Sequence, residues 1–168
     1  TKEVGIVALT RARDKAILQI RDSISSPKYY LYDMEKGQMK YLLTMWPEID
    51  DAGLEEEIPF NFKNSDGVVI HGYYTRATNQ QEGQAAPMIV VPHGGPHARD
   101  AWGFDPDTHI LSQAGYAVLK VNFRGSTGYG KEFTKLGFGE WGGDTQQDII
   151  EATEWALAQG LADKDKIG

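Results

Sequence analysis

The hydrophobic pattern of this 168-residue chain changes its period once, across residues 46–57. Before that point, apolar and polar residues alternate in short runs. After it, solid apolar runs are separated by longer stretches with helical spacing. A period of two belongs to strands with one covered face, and a period near 3.6 to amphipathic helices. A chain that uses both, in that order, builds two differently organised regions.

The first region reads as four strands: Val4–Leu9, Ala16–Arg21, Tyr29–Asp33 and Met39–Leu43. The connections Ala12–Lys15, Ser23–Pro27 and Glu35–Gln38 are rich in turn formers. Such a unit, residues 1–45, fits one antiparallel blade of a β-propeller. It fits a small antiparallel sheet packed on the rest of the chain equally well. A single blade cannot bury both faces and needs neighbours. Residues 46–57 (WPEIDDAGLEEE) are acidic and read as a solvated linker.

In the second region, strands are expected at Ile58–Lys63 and Val68–Thr75, joined by the turn at Asn64–Gly67. Residues 77–86 read as a polar loop, and Met88–Val91 as a strand covered on both faces. A helix fits Pro106–Ala114, a strand Ala117–Phe123 and a second helix Thr145–Gln159, with Asp144 and Gln147 spaced like a capping box. The polar residues 163–166 lead into Ile167-Gly168, the opening of another strand. Alternation of strand and helix implies right-handed crossovers and an α/β fold with a largely parallel sheet.

A net charge of −7 argues against a nucleic-acid backbone or an anionic membrane as main partner. No cysteine is present, which excludes disulfides, thiolate metal sites and a cysteine nucleophile. No apolar stretch approaches the length of a membrane span. The chain opens on Thr1 and not on methionine, so it reads as a processed or excised piece.

Two glycine loops could carry chemistry. GSTGYGKE (125–132) approaches a phosphate-binding loop, but Glu132 stands where that loop needs a magnesium-binding hydroxyl. The dinucleotide pattern G-x-G-x-x-G fails at Phe133. What remains is that Gly125, Gly128 and Gly130 permit tight turns after a strand. The second loop, VVPHGGPH (90–97), also leaves a strand and precedes a helix. A turn of this kind can present a backbone N–H to the oxyanion of an acyl-transfer intermediate, or it can be a plain turn. His93 and His97 have a zinc-binding spacing only on a helix, which Gly94-Gly95-Pro96 disfavours, and no third ligand is evident. His71 and His109 read as packing residues, Trp141-Gly142-Gly143 as a simple turn, and Asp148 as a surface residue or local acceptor.

SDGVVIHGYY (65–74), VPHGGPH (91–97), GYAVLKVNFRGSTGYGKEF (115–133) and GEWGGDTQQDIIEATEWAL (139–157) together resemble the prolyl oligopeptidase family of serine peptidases. The acylaminoacyl-peptidase-like branch is the nearest. The resemblance implies that 58–168 is the first half of an α/β-hydrolase domain and that SPKYYLYDMEKGQMKYLL (26–43) belongs to the last propeller blade. It implies hydrolysis of short peptides through an acyl-enzyme. An esterase-like acyl hydrolase and a non-catalytic binding module on the same half-fold are the alternatives.

By position, the resemblance assigns the oxyanion donor to the backbone N–H of Gly95, with His93 and Gly94 setting the turn. It places Arg124 and Gly125 in a loop beside the active site, with Arg124 as an anchor. No G-x-S-x-G nucleophile turn occurs; Ser126 follows Gly125, but Arg124 stands where the first glycine belongs. No catalytic residue is therefore expected in this chain. The serine, aspartate and histidine are expected beyond Gly168, and the chain alone is expected to be inactive. The family needs no cofactor or metal. The expected partners are a short peptide substrate, and further copies of the fragment through its unpaired sheet edge. The compartment stays open, a soluble cytoplasmic location being favoured over a periplasmic one.

Overall fold

The computed structural model describes residues 2–49, 53–81, 83–95 and 97–168. It divides into two units, Thr1–Leu54 with Gly103–Asp105, and Glu55–Trp102 with Pro106–Gly168.

The first unit is an antiparallel meander in the order β1-β2-β3-β4. Its strands are β1 (Glu3–Leu9), β2 (Lys15–Arg21), β3 (Lys28–Asp33) and β4 (Gln38–Thr44). Local chemistry closes the turns. Thr10 Oγ1 accepts the N–H groups of Asp14 and Lys15, both at 3.2 Å. Asp33 Oδ1 accepts Lys36 N–H at 3.0 Å, and Gly37 adopts a φ of 62°. The outer strands keep both faces open: Val4, Ile6, Val7 and Leu9 on β1, and Met39, Tyr41, Leu42 and Leu43 on β4, are all exposed. Consecutive exposed apolar residues on a strand point to opposite faces, so this sheet alone covers neither.

The second unit carries a five-stranded sheet in the order β5-β6-β8-β7-β9. The strands are β5 (Glu57–Lys63), β6 (Val69–Thr75), β7 (Ala86–Val90), β8 (Ala117–Asn122) and β9 (Ala162–Ile167). The helices are α1 (Pro106–Gln113), α2 (Lys131–Lys135) and α3 (Asp144–Ala158). β8 is buried along its whole length. Leu119 and Val121 join Ile70, Met88, Ala152 and Ala156 in the core. The two alanines let α3 approach closely, and Trp155 stacks on Phe60 at 4.5 Å.

The sheet is mixed where the alternation of elements predicts a largely parallel one. β5–β6 and β6–β8 are antiparallel, while β7–β8 and β7–β9 are parallel. The short turn between β5 and β6 is the cause, since only antiparallel neighbours can be joined so tightly. Three further expectations are corrected. No capping box opens α3; its N-cap is Gly143 without a side-chain cap, because the Asp144 carboxylate is taken by Arg124. β9 begins already at Ala162 and pairs with β7 at Ala162 and Ile167, with the polar residues 163–166 between them. Glu57, at the end of the acidic run, is buried as the first residue of β5 and accepts Lys120 Nζ at 3.0 Å. Residues 50–52 of the expected linker lie outside the described residues. α2 had no counterpart in the sequence reading.

Gly72 on β6 is required by packing. A Cβ there would collide with the carbonyl of Lys120 and the ring of Phe60. Gly72→Ala is expected to destabilise the fold by about 1–3 kcal/mol, read as a lowered urea midpoint.

Candidate active site

The turn after β7 is an extension of the sheet that breaks sharply. Val91 N–H still donates to Leu119 O at 2.9 Å. Gly95 then adopts a φ of 137°, and a Cβ there would lie 2.9 Å from His97 N and 3.0 Å from Ala98 N. Only glycine fits. Gly94 differs: nothing lies within 4 Å of a Cβ built on it, and its φ is not positive. Among the described residues, no protein group accepts the N–H of Gly95.

His93 fixes the turn from one side. Its ring stacks on Phe123 at 4.5 Å, Nδ1 lies 2.9 Å from Gly94 O, and Nε2 lies 2.8 Å from Ser126 Oγ. Ser126 is fully buried and donates to Phe123 O at 2.6 Å. The serine–histidine distance is that of a catalytic dyad, yet this hydroxyl is inaccessible and its proton is already given to a carbonyl. It is a clamp between two loops. The clamp is reinforced by Thr127 N–H to Ala98 O at 2.9 Å and by His97 Nδ1, 3.2 Å from Gly125 O. His93 and His97 thus turn to separate partners.

Pro92, His93, Gly95, Phe123, Trp141 and Ile149 contribute to the lining of an open cleft of about 270 Å³. Trp141 is 72% exposed, so the expected simple turn carries a large aromatic surface at the rim. Neither Arg124 nor Gly125 belongs to that lining.

Arg124 is buried and bound by three carboxylates. Its Nε and Nη2 donate to Asp148 at 2.9 and 2.8 Å, Nη1 to Asp144 at 2.7 Å, and Nη2 also to Asp66 at 2.7 Å. These bonds, that to Asp148 first, hold its proton more firmly than in an ordinary guanidinium, against the opposing effect of burial. Asp148 also accepts the Arg124 N–H at 2.9 Å and Asn64 Nδ2 at 2.7 Å. Asp148 is therefore neither a surface residue nor a local acceptor. It ties α3 to the end of β8 and to the β5–β6 turn. Nothing in the local pattern of α3 marks it, because its partners lie far away in sequence.

A second cluster surrounds Tyr129. His71 stacks on the Tyr129 ring at 4.5 Å, and the Arg99 guanidinium carbon lies 4.8 Å from that ring's centroid. Burial first, and then the charge of Arg99, push the His71 pKa down. The unfolded chain therefore binds a proton more readily than the folded one as pH falls below about 6.5. Stability attributable to His71 is intact at higher pH and is lost as pH falls from there toward the lowered folded value. The drop in urea midpoint between about pH 8 and about pH 5 is expected to shrink in His71→Gln.

Comparison with known proteins adds to this geometry. Residues 102–168 match the prolyl oligopeptidase family. The chain is 38% identical to dipeptidyl aminopeptidase BIII of Pseudoxanthomonas mexicana, over 83% of this chain and 21% of that protein. It is 35% identical to dipeptidyl peptidase family member 6 of Caenorhabditis elegans, over 82% of this chain and 21% of that protein.

The chain belongs to the prolyl oligopeptidase family.

The fold agrees. The Pyrococcus horikoshii acylaminoacyl peptidase superposes with a TM-score of 0.77 at 28% identity, covering 97% of this chain and 26% of that one. A puromycin-hydrolyzing peptidase of Mycobacterium tuberculosis shares the fold with a TM-score of 0.79 at 23% identity, covering 92% of this chain and 24% of that one. This prolyl oligopeptidase family chain spans about a fifth of the length of the curated relatives it matches.

Ser126→Ala tests the clamp. We expect a loss of about 1–3 kcal/mol from the unpartnered His93 and Phe123 groups, read as a lowered urea midpoint.

Proposed function

We propose that this chain is part of a serine peptidase that hydrolyses short peptides through an acyl-enzyme, and that Gly95 supplies an oxyanion donor. One observation carries the reading. At the end of a strand, on the lining of a cleft, the backbone makes a turn that only glycine can make, and its N–H has no protein acceptor among the described residues. A tetrahedral intermediate places negative charge on the former carbonyl oxygen. A fixed N–H aimed there stabilises it without reorganisation. The turn is held still by His93 on Phe123 and Ser126.

The serine, its base and the acid belong, in this proposal, to the part of the enzyme outside these residues, and the chain alone does not turn over. Residues 1–45 serve as a propeller blade, 46–57 as a linker and 58–168 as the first half of the hydrolase domain. The uncovered outer strands of the first unit support a blade that expects neighbours, and this favours a peptidase over a simple esterase. The isolated chain is proposed to self-associate through its sheet edges.

The test is made on the full-length protein with a fluorophosphonate probe and chromogenic peptides. Both dipeptidyl and N-acyl-aminoacyl substrates are offered, since relatives of both descriptions match. Labelling of one serine together with peptide turnover is expected. Neither labelling nor turnover would leave the binding-module reading in its place.

A further inference from the structure

We propose that Arg99 binds a carboxylate group of the peptide substrate. The inference rests on the peptidase reading above. Arg99 lies on the same loop as Gly95, just beyond His97 and Ala98, whose N–H groups a Cβ on that glycine would meet.

The guanidinium is held by neutral groups. Nε donates to Asp100 O at 3.1 Å, and Nη2 to the hydroxyls of Tyr73 at 3.2 Å and Tyr129 at 3.4 Å. Its carbon stands 4.8 Å from the Tyr129 ring centroid. Nη1 takes part in none of these bonds. It rests against Gly128, whose φ of 87° and missing Cβ leave room for it.

The cradle is itself built. Asn122, fully buried at the end of β8, donates to the Tyr129 hydroxyl at 2.9 Å and to Asp100 O at 3.0 Å, and accepts Asp100 N–H at 2.8 Å. His71 backs the Tyr129 ring, and burial pushes its pKa down. Asp100 contributes its carbonyl to Arg99. Among the described residues, no carboxylate lies within 4.0 Å of this guanidinium.

Arg124 shows the contrast, with three carboxylates around one guanidinium. The chain has 24 acidic and 17 basic residues, so acids are not scarce. An exposed arginine, already oriented and lacking an acid, offers a planar fork for one brought by a ligand. Because its bonds to the tyrosines fix it beforehand, binding costs little further side-chain freedom. The ligand group is either the free C-terminus of a short peptide or an Asp or Glu side chain.

The experiment uses the full-length protein, wild type, Arg99→Gln and Arg99→Lys. Three peptides of one parent sequence are compared: the C-terminal acid, the C-terminal amide, and the amide with Glu in place of one Gln. We expect kcat/KM for a carboxylate-bearing peptide to exceed that of the plain amide by about 10-fold or more in the wild type. Arg99→Gln erases that preference, the acid or Glu peptide losing more than the amide, and Arg99→Lys retains part of it. Preference for the acid peptide identifies the C-terminus, and preference for the Glu peptide a side chain. Equal losses for acid and amide, as a purely structural arginine would give, overturn the proposal, as does no preference in the wild type. If the wild type hydrolyses none of these peptides, the peptidase reading fails by itself. Calorimetric titration of an acetylated dipeptide acid and its amide then decides. Binding of the acid by the wild type and not by Arg99→Gln upholds the carboxylate site; equal binding, or none, removes it.

Discussion

Under the proposed oxyanion role, Gly95→Ala in the full-length protein is expected to lower kcat by about 100- to 1000-fold, the usual effect of losing one such donor. A φ of 137° is closed to alanine, and the added carbon would meet the N–H groups of His97 and Ala98. The turn must reshape, and its N–H moves with it. Stability is expected to fall by about 1–3 kcal/mol, the range for a side chain forced into such a conformation. Gly94→Ala is the matched control. Its site is open and its backbone is unstrained, so both turnover and melting are expected near wild type. Steady-state kinetics beside a melting curve checks the pair. If Gly95→Ala retains full turnover, the donor is elsewhere.

Asp148→Ala is expected to cost about 3–5 kcal/mol, the effect of leaving a buried charge without its partner. Asp148 is fully buried and accepts four bonds, three from Arg124 and one from Asn64. Asp66 and Asp144 remain on Arg124 in the variant, but both are about half exposed, at 54% and 51% of the side chain. They cannot replace a carboxylate that is out of water. A whole domain is stable by only about 5–15 kcal/mol, so this single change brings the fold close to its limit. Glu151 is the contrast. Hydrogen bonds from Ser65 hold its carboxyl below the usual range, but it lies at the surface, and Glu151→Ala is expected to cost under about 1 kcal/mol. Urea denaturation of both variants tests the difference. Equal small losses would show that the Arg124 cluster is not what holds these elements together.

Where the sequence was legible, local pattern was enough. The alternation in residues 1–45 and the apolar runs ending at Val91 and Phe123 locate strands to within a residue or two. The glycine motifs put turns after β7 and after β8, where the structure has them. The misses share a cause. The helix Lys131–Lys135 is too short to show a period, and its Phe133 carbonyl is tied back to Gly125 N–H. β9 pairs with β7 only at Ala162 and Ile167, and the four polar residues between them leave no apolar pattern to read. Glu57 and Asp148 look like surface acids until Lys120 and Arg124 arrive from distant parts of the chain. The same holds for Ser126, which looks like part of a glycine-rich turn until His93 closes on it. Partners fixed only by topology leave no mark in a window of neighbouring residues.

β7 lies between β8 and β9, and both follow it in the sequence. On the ribosome, the hairpin of β5 and β6 can close as soon as it emerges. Ala86–Val90 cannot; it leaves the tunnel with both edges vacant and waits for Ala117–Asn122, a few seconds at about 5–20 residues per second. During that interval an apolar strand is available to chaperones and to wrong partners. Pro87, the second residue of the strand, has no N–H to offer, and so blunts one edge of this waiting segment before its proper neighbours are made.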